Sequence, residues 1–249
     1  MIADSMNADY DMRGQCFDQM AFKKGDHRGN HRSGAAAAKA KVWMGSLALL
    51  LRPALLLLGL ALIQPAPAAE PQPESAWRIW FESKAMHSPV DSAIPDAHRT
   101  VWTAGFIGGD GLTPFSKGEY AALNVSTEAF ALRARANAAA DLKTLKPEYV
   151  RNRKKVIEYA EIHSDRQIVA SAVLAAGFLK LFKDTLGEKV LLIVPNRFTA
   201  YVFPSLASNI EDYCPMILSA FHETAYPVST EVFELSPSGA RSVGLFEEP

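Results

Sequence analysis

The sequence predicts an α+β fold in which a largely antiparallel sheet, built from hairpins, has helices packed on one face. Short apolar or alternating segments occur in pairs separated by turn residues, which is typical of hairpins. Between those pairs, apolar side chains recur every three or four residues, as they do on helices. The chain has 249 residues, of which 49% are hydrophobic and 21% charged. This composition excludes collagen, a disulfide-rich scaffold and overall disorder.

The first predicted elements follow a Pro-rich tether. Residues 77–81 and 100–107 are predicted strands, and the second ends at the turn residues 108–111. Ser126 is a predicted N-cap for an Ala-rich helix over residues 129–142.

The middle of the chain combines β-branched residues with a clear helical spacing. Residues 156–163 and 167–173 are rich in Val and Ile and flank a turn-like stretch, so we predict that they pair as a hairpin. Apolar side chains at the spacing of a helix face predict an amphipathic helix over 174–186. Gly187 then supplies the left-handed residue that ends it.

The last third predicts two more hairpins with a helix between them. Residues 190–194 and 198–203 flank the turn 195–197, and the first of these strands is apolar enough to be buried on both faces. A helix is predicted from Ser208 or Asn209 to His222. Residues 231–235 and 240–246 form the final predicted hairpin.

An apolar segment near the N-terminus predicts export. Residues 53–63 are uninterruptedly apolar, follow Arg52 and precede the small-x-small pattern Ala66-Pro67-Ala68. An apolar run of this length is typical of a signal peptide, which we place over 44–69. Two alternatives stay open: an uncleaved membrane anchor over 42–63, or a buried core helix.

The domain boundaries follow from this leader. Residues 1–43 lack apolar periodicity, and Met44 stands where a short signal peptide normally begins. Our hypothesis is that translation starts at Met44 and that 1–43 is a misassigned or disordered leader. Residues 70–76 are then a linker, and 77–249 form a single domain.

Charge and cysteine content restrict the partners. From Glu70 onward, nine lysines and nine arginines face 22 acidic residues, a net charge of −4. This charge disfavours nucleic acid and anionic lipid surfaces, so membrane contact is predicted only through an uncleaved leader.

Cys214 is the sole cysteine after the leader, which excludes an internal disulfide. Its apolar neighbours predict a buried, inert thiol rather than a reactive nucleophile.

Motif searches give no catalytic site, cofactor or metal. The chain contains no Gly-rich phosphate-binding motif and no nucleophile elbow. The four histidines after the leader, His87, His98, His163 and His222, show no spacing typical of metal ligands. Residues 163–165 read His-Ser-Asp, but adjacent side chains in a tight turn cannot form a catalytic relay. We therefore predict no catalytic residue, no cofactor and no metal.

The turn at 195–197 is the most informative polar position. Arg197 at a hairpin tip could clamp a carboxylate or phosphate, with Asn196 assisting and Tyr201 lining an adjacent groove. The alternative is an ordinary turn in which Asn196 takes a strained conformation, Arg197 is solvated or pairs locally, and Tyr201 belongs to the core.

The C-terminal half resembles a known family. The Leu186-Gly187 helix end, the strand ending in Val194-Pro195-Asn196-Arg197, the aromatic strand after it and the segment 226–233 resemble the YtpQ-like family of unknown function. The resemblance covers roughly residues 100–245. It implies a single α+β fold and brings no assigned activity.

Two function hypotheses follow. The preferred one is an exported, non-enzymatic domain that binds a protein or small ligand in the periplasm or outside the cell. The alternative is a hydrolase or transferase whose His and acidic groups converge only in three dimensions.

Overall fold

The computed structural model describes residues 72–247, so the predictions for residues 1–43 and for the signal peptide 44–69 lie outside the described residues. The strands are β1 (Trp77–Ser83), β2 (Asp91–Ala93), β3 (Thr100–Gly108), β4 (Gly111–Pro114), β5 (Glu148–Arg151), β6 (Ile157–His163), β7 (Val190–Ile193), β8 (Thr199–Pro204), β9 (Glu231–Ser236) and β10 (Gly239–Leu245). The α-helices are α1 (Lys117–Ala122), α2 (Thr127–Leu142), α3 (Val169–Ala172) and α4 (Cys214–His222). Short 3-10 turns cover Glu74–Ala76, Lys84–Met86, Phe178–Leu181 and Ile210–Tyr213.

The predicted α+β class with antiparallel pairing is confirmed, and the strands form two sheets. In the smaller sheet the order is β1-β3-β2, with β4 also paired to β3. The larger sheet has the order β10-β9-β7-β8-β6-β5. All the strand pairs are antiparallel.

The first strand lies inside the fold. In β1, Trp77 pairs with Phe106 and Ser83 with Thr100, and all but the last residue of the strand are buried. Opposite β1, Gly105 of β3 permits a close backbone approach. A Cβ atom there would lie 2.1 Å from the Thr113 carbonyl oxygen, so no other residue fits without moving the backbone.

Helix α2 confirms the predicted Ala-rich helix. The Ser126 hydroxyl accepts a hydrogen bond from the Ala129 amide at 3.2 Å, which caps the first turn. Its buried face packs on β1, where Phe130 stacks on Trp77 with ring centroids 5.3 Å apart. This contact fixes α2 across the smaller sheet.

Of the predicted hairpin of 156–163 with 167–173, the first strand is present but the second strand and their pairing are wrong. Residues 157–163 form β6, but β6 pairs with β5 and β8. The segment after it turns into the short helix α3, whose four residues are all buried. Residues Ile168 to Val173 are all buried. The β-branched residues among them are therefore a sign of burial and not of a strand.

The predicted helix over 174–186 is also wrong. Gly177 has φ +99°, which interrupts the helix, and Phe178–Leu181 form a 3-10 turn instead. Successive turns still place Phe178 and Phe182 in the core, with ring centroids 5.2 Å apart. The predicted left-handed Gly187 is confirmed, with φ +106°. The apolar spacing therefore identified the buried side chains correctly but not the backbone that carries them.

The last third follows the prediction closely. The pairs β7–β8 and β9–β10 are hairpins, and β9 also pairs with β7. A 3-10 turn at Ile210–Tyr213 leads into α4, so the predicted helix is present with a tighter first turn.

The two sheets share one apolar core. Phe81 of β1 and Phe233 of β9 have ring centroids 4.7 Å apart. Helices α2 and α3 pack against β1. Cys214 and Ile217 of α4 instead join a separate cluster with Tyr201 and Phe203 of β8, on the other face of the larger sheet. In residues 72–247 no helix is both long and apolar enough to cross a membrane.

Candidate functional site

The turn between β7 and β8 is anchored to the chain rather than left in solvent. Asn196 forms an isolated bridge with Pro227, and its side-chain amide donates to the Ala220 carbonyl at 2.7 Å. Its side-chain carbonyl oxygen, Oδ1, accepts a hydrogen bond from the Phe198 amide at 2.9 Å. Asn196 thus holds the turn against the segment after α4.

Arg197 is buried and clamps a carboxylate of its own chain. Its guanidinium forms an ion pair with Glu82 of β1 and donates to the Leu112 carbonyl at 3.0 Å. The guanidinium carbon lies 5.7 Å from the centroid of the Trp80 ring and 5.4 Å from that of the Tyr226 ring. Arg197 has the geometry of an arginine that binds a carboxylate, but the carboxylate that it binds is Glu82 of the same chain.

Tyr201 lies apart from this pair. It belongs to the apolar cluster beneath α4, and its ring meets that of Tyr159 edge-on at 6.1 Å. Burial, followed by the nearby negative charge of Glu161, raises the pKa of Tyr201 to about 12. The structure therefore brings Asn196 and Arg197 into one turn but does not place Tyr201 beside them.

The histidine positions show no metal centre. Among residues 72–247, no group of three or more His, Cys, Asp or Glu side chains is arranged to hold a metal ion. Register places His163 opposite Thr199, with Nδ1 3.1 Å from Oγ1, while Asp165 lies 3.8 Å from Nε2. The side chains of His163 and Asp165 are exposed, so this arrangement is not screened from water.

One cavity, of about 400 Å³, lies between α4 and the segment leading into β9. His222, Ser229 and Glu247 are among the residues that line it. Glu247 is engaged by Arg99 at 2.9 Å. The Ser229 hydroxyl accepts hydrogen bonds from Thr100 and from the Glu231 amide. Ser229 and Glu247 are therefore already engaged by other groups of the same chain.

A second cavity, of about 330 Å³, lies where α2, the loop after α3 and the β9–β10 hairpin meet. We call it the Trp102–Arg135 cavity. Its walls are mostly apolar, and they include Val173, Leu174, Phe178, Leu179, Leu235 and Ala240. Trp102 of β3 and Arg135 of α2 contribute to its polar side, together with Lys180 and Ser236.

The polar side of this cavity is incompletely satisfied. The Arg135 guanidinium carbon lies 5.7 Å from the centroid of the Trp102 ring. The Trp102 indole nitrogen and Arg135 Nε are buried, and neither has a hydrogen-bond partner among the described residues. A buried donor without an acceptor costs about 1–3 kcal/mol, so each of these two donors is unusual in a folded protein.

The charge of the Trp102–Arg135 cavity is positive. Lys180 at its mouth is the second cation, and no aspartate or glutamate is among the lining residues. By contrast Arg78, Arg133 and Arg197 each pair with a carboxylate. Arg135 thus differs from these arginines in having no acidic partner in the described part of the chain.

Sequence reasoning missed Trp102 and Arg135, although one signal was present. Arg135 lies three, four and seven residues before Ala138, Ala139 and Leu142. That spacing puts a cation on the apolar face of the helix. A charge at such a position is either paired or functional. Trp102 carries no comparable signal, because a strand tryptophan is most often core.

Comparison with known proteins adds no assignment. The chain matches no family model, no curated protein and no solved structure. The resemblance to the YtpQ-like family therefore stays a prediction.

Proposed function

We propose that this protein is a non-enzymatic domain that binds a small, largely apolar molecule in the Trp102–Arg135 cavity. The observation that carries the proposal is a half-buried guanidinium that has no acceptor partner among the described residues and lies in an apolar cavity. Ligand sites are typically apolar clefts with a few polar groups that orient the ligand.

The dimensions and position of the cavity support this function. A volume of about 330 Å³ lies within the range of small-molecule sites, roughly 300–1,000 Å³. Elements from both sheets contribute walls, with Trp102 from the smaller and Leu235 from the larger. The surrounding core holds these walls in place, so the site is largely formed before a ligand arrives.

The proposal places this binding after export. Support comes from the apolar segment 53–63 and the small-x-small pattern at residues 66–68. A periplasmic or extracellular binding domain needs neither a bound cofactor nor a nucleic-acid partner, which agrees with the charge of −4 that the sequence carries from residue 70 onward.

Binding of eight-carbon compounds to the full chain tests the proposal. We expect saturable binding with one site, measured by titration calorimetry. Ala240→Phe should abolish it, because the added ring fills the cavity from β10. Arg241→Phe is the matched control, since residue 241 is the exposed neighbour on the same strand. Absence of binding, or equal binding by the Ala240→Phe variant, would refute the proposal.

The enzymatic alternative has one specific support, the cavity that His222, Ser229 and Glu247 line together. A hydrolase would turn over generic ester, phosphate or glycoside substrates, and His222→Asn would remove that turnover. Such a result would replace the binding function with catalysis.

A further inference from the structure

We infer that the ligand of the Trp102–Arg135 cavity is a small monocarboxylate with an apolar tail, whose carboxylate is held by Arg135. This inference rests on the proposed binding function and names the chemical class of its ligand.

The head group follows from Arg135. A guanidinium presents its N–H groups as a planar fork that matches the two oxygens of a carboxylate. Arg135 makes no ion pair in residues 72–247 of this chain, and of its three nitrogens only Nε is buried, so its terminal N–H groups are available. The Trp102 indole N–H belongs to the ring against which this guanidinium lies. Trp102 and Arg135 therefore lie at the same end of the cavity, where an acceptor group would meet the Arg135 guanidinium.

The tail follows from the walls and the volume. Leu174, Phe178 and Leu235 present hydrocarbon to the cavity, which suits an alkyl or aryl group. At roughly 30 Å³ for each water-sized group, the volume of about 330 Å³ holds about ten such groups. Octanoate, with ten non-hydrogen atoms, is the probe that fits this limit.

The charge of the lining excludes other head groups. With Arg135 and Lys180 as cations and no acidic side chain in the lining, an ammonium head group would meet like charge. A neutral hydroxyl could bury its tail equally well but would lack the charge-assisted hydrogen bonds. A carboxylate is therefore favoured over an alcohol, and an alcohol over an amine.

Titration of the full chain with octanoate, octan-1-ol and octylamine tests the head group. A hydrogen bond to a charged group corresponds to about a ten- to hundredfold change in affinity. We expect octanoate to bind at least tenfold more tightly than octanol, and octylamine not to bind. Arg135→Met should cancel the advantage of octanoate while leaving the affinity for octanol within about twofold.

Arg133→Met is the matched control. Arg133 lies two residues earlier on α2, is exposed, and stacks on Trp77 at 5.9 Å much as Arg135 does on Trp102. This variant should bind octanoate as the unmodified chain does. Binding-dependent tryptophan fluorescence should disappear in Trp102→Phe, and circular dichroism of each variant verifies that it is folded.

The length of the ligand's alkyl tail distinguishes binding in the cavity from nonspecific adsorption to apolar surface. Each added CH₂ should raise affinity about fourfold until the cavity is full, roughly at octanoate, and no further beyond it. A continued rise up to hexadecanoate would overturn the inference.

The results of these titrations test the carboxylate inference and the proposed ligand-binding function separately. If octanol and octanoate bind equally and both are blocked by Ala240→Phe, the cavity is a ligand site but the carboxylate inference is wrong. If Arg135→Met leaves octanoate affinity unchanged, the inference is wrong for the same reason. If none of the compounds binds, the proposed function itself fails.

Discussion

Replacing Arg197 by methionine should destabilise the protein strongly, because it leaves a buried carboxylate unpaired. The side chains of Arg197 and Glu82 are only 7% and 2% exposed. Methionine keeps apolar contact with Trp80 and Tyr226 but removes the positive charge between them. Glu82 would then have to keep its charge in the core or take up a proton there.

The structure bounds the magnitude. Removing one partner of a buried ion pair costs about 3–5 kcal/mol. Glu82 would still accept hydrogen bonds from the Trp80 indole at 2.9 Å and the Ser83 amide at 3.1 Å. These bonds place the expected loss near the lower end, about 3 kcal/mol. For a domain of this size, that loss lowers the melting temperature by about 6–12 °C.

Urea denaturation of the full chain, followed by circular dichroism, measures this loss. Arg99→Met is the control, since Arg99 and Glu247 pair at 2.9 Å with side chains 57% and 41% exposed. The control should lose no more than about 1 kcal/mol. Adding Glu82→Gln to Arg197→Met should recover part of the stability. A loss below about 1 kcal/mol in Arg197→Met, or no recovery in the double variant, would refute the reasoning.

Three further predictions concern glycine, tyrosine and the leader. Gly105→Ala should destabilise by about 3 kcal/mol in urea denaturation, since its Cβ would overlap backbone, whereas Gly118→Ala, with open space, should stabilise α1 by up to about 1 kcal/mol. The pKa values of Tyr201 and Tyr213 are both raised to about 12, each mainly by burial. Because the folded-state pKa exceeds the ordinary value of 10, burial of the neutral phenols contributes stability that is complete below pH 10 and is lost as the pH rises toward about 12. Difference absorbance measures the two pKa values, and alkaline unfolding measures the loss of stability. Cleavage of the predicted signal peptide implies that N-terminal sequencing of the mature protein starts near residue 70, and a peptide from the first 43 residues would contradict a start at Met44.

The sequence predicted best the elements whose local pattern and tertiary surroundings agree. Residues 190–194 and 198–203 flank a turn of polar residues, and the structure pairs them as β7 and β8. Ser126 is followed by an Ala-rich segment, and the structure caps α2 there. In both cases the neighbouring core favours the conformation that the local residues favour by themselves.

Prediction failed where burial on every side removed the periodic signal. Residues 167–173 are almost wholly buried, so their β-branched composition could not distinguish a strand from the helix α3. The spacing over 174–186 was correct for buried side chains, but Gly177 at positive φ interrupts the backbone. The fold class survived both errors because it depends on the hairpins elsewhere.

The candidate site was harder to predict because it depends on distant residues. Arg197 was singled out at its turn, but its partner Glu82 is 115 residues away in the chain. Trp102 and Arg135 meet only when β3 and α2 pack together. No local sequence pattern predicts a contact between such distant residues. The sequence alone therefore indicates the chemistry of a side chain but not its partners.

The contact of Phe81 with Phe233 affects when the nascent protein can fold. Strands β1 and β9 supply the two rings, so this contact cannot form until the ribosome has synthesised the chain as far as Phe233. Contacts between residues that are far apart in the chain slow folding and leave a newly made chain unfolded for longer. Until Phe233 has been synthesised, the core between the two sheets therefore lacks one of the two rings in this contact.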